Sequence, residues 1–70
     1  MNWIETPESS NISRFRYVSE SSTLEIDFRR GGTYQYFEVP ESIFSQMQAA
    51  ASKGQFFAQN IKGVFRYARA

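Results

Sequence analysis

The alternation of apolar and polar side chains around a glycine pair, between residues 24 and 39, constrains the fold most. Before the glycines, every second residue is apolar, at Leu24, Ile26 and Phe28. After Gly31-Gly32 the same spacing recurs at Tyr34 and Tyr36. A two-residue period is typical of a β-strand with one buried face. The stretch therefore predicts a β-hairpin with strands at 24–29 and 33–39.

Two turn geometries are open for this hairpin, and they place the tyrosines on different faces. If Gly31-Gly32 is a two-residue turn, Ile26 faces Phe37, and the tyrosine rings lie opposite the apolar face, free to stack on bases. If residues 29–31 are the loop, with Gly31 left-handed, Ile26 faces Tyr34 and the rings join the core. We favour the second register, because it makes one face apolar across three strands.

Residues 11–19 predict a preceding strand, with Phe15 and Tyr17 on the core face. Ile12 has the opposite parity to Phe15, so we expect a β-bulge near residues 13–14. The arginines of this strand then lie opposite carboxylates of the next one, which neutralises them. The expected pairs are Tyr17 with Leu24, Arg16 with Glu25, and Arg14 with Asp27.

After Val39 the apolar period lengthens to three or four residues, which predicts a helix beginning near Pro40. Its apolar stripe contains Ile43, Phe44, Met47 and Ala50 or Ala51. Gly54 is the expected stop for this helix. Residues 55–61 predict a short second helix, and residues 64–69 can add a fourth, edge strand.

The predicted fold class is α+β. A three-stranded antiparallel meander, with the C-terminal segment as a possible fourth edge strand, packs against one helix plus a short helical turn. Residues 1–9 are polar, and we expect a flexible lead-in there, with Trp3-Ile4 able to dock on the domain. Residues 10–70 form a single domain.

Composition excludes most catalytic chemistry. The 70 residues contain no cysteine and no histidine, so thiolate sites, disulfides and the commonest metal ligand and general base are absent. We therefore expect no enzymatic activity, no cofactor and no metal. No apolar run approaches a membrane span, and the N-terminus lacks the pattern of a secretory signal, so we expect a cytoplasmic protein.

The order of these motifs resembles the KTSC domain, a small family named from the C-terminus of some lysyl-tRNA synthetases. The resemblance covers residues 10–67, including Phe56-Phe57 and Ile61-Lys62 downstream. Its central string is Leu24-x-Ile26-x-Phe28-x-x-Gly31-x-x-Tyr34-x-Tyr36-x-x-Val39-Pro40. The resemblance implies a small α+β accessory domain, and its association with synthetases implies RNA as a partner.

Charge and aromatic residues point to a candidate surface in the second half of the chain. Residues 11–70 contain all eight basic residues but only five of the seven acidic ones. A basic groove with interleaved aromatics is typical of single-stranded nucleic acid binding. The candidate phosphate-binding residues are Arg29, Arg30, Lys62, Arg66 and Arg69, with Phe65 and Tyr67 as aromatic contacts.

Two alternatives compete with RNA binding. The same cations can serve as ordinary solubilising charge. The protein can also be a protein-interaction module or a homodimer, because seven Phe, four Tyr and one Trp are many large rings for so small a chain.

Overall fold

The computed structural model describes residues 3–70 as one antiparallel sheet with two helices packed on one face. Spatial strand order follows chain order, so each strand pairs with the strands before and after it. The elements are β1 (Ile4–Glu5), β2 (Ile12–Val18), β3 (Thr23–Phe28), β4 (Gly32–Tyr36), α1 (Glu41–Ala49), α2 (Lys53–Asn60) and β5 (Tyr67–Arg69). The predicted α+β class, the central meander and the C-terminal edge strand are confirmed.

The central hairpin adopts the register that buries the tyrosines. Ile26 lies opposite Tyr34, and Leu24 lies opposite Tyr36. Tyr36 is buried and Tyr34 half-buried on the helix-covered face. The turn differs from expectation in one respect, because the positive φ of +82° falls at Gly32 and not at Gly31. Gly32 is the first residue of β4, where the chain turns back into pairing with Phe28.

The strand β2 pairs with β3 as the alternation predicted, including the irregularity at its start. The register shifts between Ile12 and Arg14, which confirms the bulge. On the outer face, Arg14 donates to Asp27 at 3.1 Å and Arg16 to Glu25 at 2.6 Å. These two arginines are thus neutralised by carboxylates on the neighbouring strand.

The core lies between β2–β3 and the two helices. Phe44 of α1 stacks on Tyr17 with 5.2 Å between ring centroids, and meets Phe15 edge-on at 5.7 Å. The buried Tyr17 hydroxyl donates to the Val39 carbonyl at 2.7 Å, so the ring is buried without losing its polar partner. Met47 completes the buried face of α1.

The boundary between the helices differs from the predicted one. The helix α1 ends at Ala49, and α2 begins at Lys53, so Gly54 lies inside the second helix. Ser52 explains the shift, because its side chain accepts a hydrogen bond from the Gln55 backbone N–H at 3.2 Å. Such an N-cap stabilises a helix start ahead of the glycine.

The sheet begins earlier than residue 10. Ile4 in β1 lies opposite Phe15 and packs against the core, and Trp3 lies 4.3 Å from the Arg14 guanidinium on the outer face. Thr6 is fully buried and donates to the Ile12 carbonyl. The lead-in predicted for residues 1–9 therefore contributes the two-residue strand β1, which pairs with the free edge of β2. Its first two residues lie outside the described chain.

Both described helices, of nine and eight residues, are too short and too polar to cross a bilayer.

Candidate nucleic-acid interface

A cleft of about 480 Å³ opens on the helix-covered side of the sheet, between the β4–β5 edge and the end of α2. It exists because α2 covers Phe28 and Tyr36 through Phe57, but ends before it reaches β5. The cleft is lined by five aromatic side chains, Phe28, Tyr34, Tyr36, Phe57 and Tyr67.

The tyrosines of this cleft form a graded surface, from buried to exposed. The Tyr67 ring centroid lies 5.6 Å from Tyr36 and 5.7 Å from Tyr34. Tyr36 is 5% exposed, whereas Tyr67 is 61% exposed. Tyr67 thus presents a free aromatic face beside rings that are held in place, an arrangement on which a planar ligand can stack.

Two cations border the aromatic surface. Arg30, on the β3–β4 turn, and Lys62, just after α2, both line the cleft. Neither one forms an ion pair with a carboxylate within residues 3–70. The described lining of the cleft contains no Asp or Glu, so its electrostatic character is positive.

The Tyr36 side chain is the most perturbed titratable group of the cleft. Burial, with smaller contributions from the neighbouring Tyr67 and Tyr34, raises the pKa of Tyr36 to about 12. Because the phenolate would be desolvated and repelled by its neighbours, the hydroxyl keeps its proton at neutral pH.

The structure brings three of the predicted site residues together, namely Arg30, Lys62 and Tyr67. Arg29 points elsewhere and donates to the backbone carbonyls of Ser9, at 2.8 Å, and Thr6, at 3.0 Å. Arg29 is thus occupied by the N-terminal segment and not presented at the cleft, although it neighbours Arg30 in sequence.

The other three predicted residues lie outside the cleft. Arg66 lies 3.7 Å from Glu38 and, with the half-buried Phe65, lines a shallow groove that adjoins the cleft at Gly63 and Tyr67. The Arg69 side chain, on β5, lies beside Gly32 at the start of β4. The predicted basic edge is therefore divided between two surfaces.

Sequence reasoning favoured the register that buries Tyr34 and Tyr36, so it identified neither these rings nor Phe57 as walls of a cleft. The alternation of residues along β5 would have placed Tyr67 on the same face of the sheet as Tyr36 only if the β4–β5 register had been known. That register pairs Tyr36 with Tyr67 and Tyr34 with Arg69.

The opposite face of the sheet is polar and internally satisfied. Glu25 is 9% exposed and accepts hydrogen bonds from Arg16 and, at 3.0 Å, from Gln35. Burial alone would raise the pKa of Glu25, but the hydrogen bonds from Gln35 and Arg16, with the Arg16 charge, lower it overall. Within residues 3–70, no cluster of three or more potential ligands could hold a metal ion.

Comparison with known proteins places this fold in a family. The model of the KTSC domain matches residues 8–65, so the chain belongs to the KTSC domain family. The crystal structure of a KTSC domain protein from Yersinia pestis superposes with a TM-score of 0.94 at 39% identity, covering 99% of this chain and 96% of that one.

Sequence relatives include both long and short proteins. The chain is 44% identical over 61 residues to a lysine–tRNA ligase from Trichormus variabilis, covering 87% of this chain but 11% of the ligase. It is 39% identical over 59 residues to a protein from Tsukamurella paurometabola, of which it covers 88%. The KTSC domain is thus a small module that also has close counterparts within lysine–tRNA ligases.

Proposed function

We propose that the protein is a cytoplasmic, non-enzymatic accessory module that binds RNA, with tRNA as the first candidate, through the aromatic cleft. One observation carries this proposal: the exposed Tyr67 ring lies beside Tyr34 and Tyr36, with Arg30 and Lys62 unpaired at the borders. Stacking platforms with nearby cations are the usual means of holding unpaired nucleotides. The lysine–tRNA ligase relatives support tRNA as the ligand to test first.

Two features make the expected binding weak. The net charge is only +1, so long-range attraction of a polyanion is slight. Two phosphate contacts would also give a shallow salt dependence, with a slope of log affinity against log salt of about −1.4 on a single strand.

The test is a fluorescence-anisotropy titration of labelled tRNA at several salt concentrations, with matched arginine variants. Arg30→Ala removes a cation that lines the cleft, whereas Arg66→Ala removes an exposed cation that lines only the adjoining groove. We expect Arg30→Ala and Lys62→Ala to weaken binding several-fold and Arg66→Ala to leave it nearly unchanged. Tyr67→Ala should weaken binding by roughly fivefold or more, because stacking of one base contributes about 1–3 kcal/mol.

Absence of binding at low salt, or equal losses for Arg30→Ala and Arg66→Ala, would reject the cleft as an RNA site. The second candidate function, protein docking or homodimerisation, is favoured by the exposure of Val64 at 63% beside the groove of Phe65 and Arg66. A dimer in light scattering that a Val64→Ser substitution dissociates, together with no RNA binding, would favour that alternative.

A further inference from the structure

The outer edge of β5 presents backbone hydrogen-bonding groups that have no partner strand within residues 3–70. Hydrogen bonds to β4 flank β5 at both ends, from the Phe37 N–H to the Arg66 carbonyl at 2.9 Å and from the Ala70 N–H to the Thr33 carbonyl at 2.8 Å. The direction of the backbone groups alternates along an antiparallel strand. Tyr67 and Arg69 therefore point their N–H and C=O groups away from β4, toward solvent.

Charge is the main feature that distinguishes this edge. All three residues of β5 are exposed, and residues 66–70 contain two arginines, no proline and no acidic side chain. The Arg69 guanidinium lies beside Gly32 and forms no ion pair within residues 3–70. Arg66 contacts Glu38, but the two side chains are 77% and 83% exposed, so solvent weakens this pair. The edge is therefore open and positive.

This charge decides which strand can pair with β5. A second copy aligned along the edge would bring two arginines from each chain onto one short ladder. Like charges on neighbouring strands destabilise their pairing, so self-association along this edge is disfavoured. A strand that carries carboxylates would instead place opposite charges beside Arg66 and Arg69, which stabilises the pairing.

We infer that the outer edge of β5 binds an extended acidic peptide segment of another protein, which adds a strand to the sheet. The peptide backbone pairs with the N–H and C=O groups of Tyr67 and Arg69, and its carboxylates lie beside the arginines. Val64 and Tyr67 are the large apolar side chains most exposed in the described chain, and both line the groove beside β5. Apolar side chains of the peptide can cover them. This inference goes beyond RNA binding, because it uses the strand edge and not the stacking surface of the cleft.

The experiment is an NMR titration of the isotope-labelled chain with a short capped peptide that alternates glutamate and valine. We expect the largest changes in amide shift along β5, and slower amide exchange at Tyr67 and Arg69. Two matched peptides separate strand pairing from charge alone. One replaces glutamate by lysine, and the other is the glutamate peptide N-methylated at every residue, which keeps its charges but cannot donate backbone hydrogen bonds. Neither should bind.

Two variants of the chain test the position of the charge. Arg69→Gln removes a cation at the edge, so it should weaken binding of the glutamate peptide roughly threefold. Arg14→Gln is the matched control, because it removes the same charge from β2, which is separated from β5 by two strands. It should leave the affinity nearly unchanged.

The other results would overturn the inference. Absence of binding by the glutamate peptide, or equal binding by the lysine or the N-methylated peptide, would exclude an acidic strand at this edge. Exchange at Tyr67 and Arg69 that slows with protein concentration, without peptide, would show that a second copy occupies the edge instead. The tRNA titration is independent of these outcomes, since loss of RNA binding leaves the pairing groups of β5 in place.

Discussion

Glu25 is the residue on which the polar face of the sheet depends. It is nearly buried, and it joins three strands, because Arg16 contacts it from β2 and Gln35 from β4. A buried carboxylate is costly unless it is paired and hydrogen-bonded, and here it is both. This network also explains why Arg16 is unsuited to binding phosphate, although it is a cation on an open face.

The lowered pKa of Glu25 predicts a specific loss of stability in acid. A carboxyl with a folded pKa below its ordinary value of 4.5 contributes stability that is present above pH 4.5 and lost as the pH falls through the folded pKa. We expect the free energy of unfolding to fall across that range, and to fall less in Glu25→Gln. Urea denaturation at a series of pH values measures this; parallel pH curves for the two proteins would contradict it.

At the scale of elements, the β3–β4 turn decides where the tyrosines lie. A loop at residues 29–31 pairs Phe28 with Gly32, and this register places Tyr34 and Tyr36 on the helix-covered face. A shift of one residue would move both rings to the polar face. The turn therefore determines whether an aromatic cleft can form, and it also carries Arg30 to its border.

The two turn glycines should respond differently to alanine. Gly32 has a φ of +82°, a conformation that an L side chain rarely adopts, so Gly32→Ala should lower the free energy of unfolding by about 1 kcal/mol. Gly31 has no positive φ, and an added Cβ would meet Phe28 Cβ at 3.5 Å, an ordinary contact. Gly31→Ala is thus the control, with little expected change in urea denaturation. A larger loss at Gly31 than at Gly32 would contradict this assignment.

At the scale of the whole molecule, Arg29 connects the N-terminal segment to the central hairpin. Its guanidinium donates to the carbonyls of Ser9 and Thr6, which lie 20 and 23 residues away in the chain. Thr6 is itself buried, and β1 covers the free edge of β2. The segment that precedes the meander is in this way part of the packed domain.

Removal of the Arg29 hydrogen bonds should destabilise the protein, whereas removal of the adjacent Arg30 charge should not. We expect Arg29→Ala to lower the free energy of unfolding by about 1 kcal/mol, through loss of charge-assisted hydrogen bonds. It should also speed amide exchange at Thr6, whose N–H bonds to the Ser13 carbonyl at 3.1 Å. Arg30→Ala, the control, removes the same charge without a described protein partner. Equal stability of the two variants would exclude the anchoring role.

The sequence by itself determined the meander and most of its core, and it favoured the registers that the structure shows. The two-residue period at Leu24, Ile26 and Phe28 leaves only one face for burial, and pairing partners such as Arg16 and Glu25 follow from it by counting. These features are local, because each depends on neighbouring strands joined by a short turn.

Only the tertiary structure decided which cations and rings form one surface. Arg29 and Arg30 are adjacent in sequence, yet one binds the N-terminal backbone and the other borders the cleft. Tyr36 and Tyr67 are brought together by the pairing of β4 with β5, across two intervening helices. Such long-range contacts depend on how α2 packs against the sheet, and no local spacing encodes that packing.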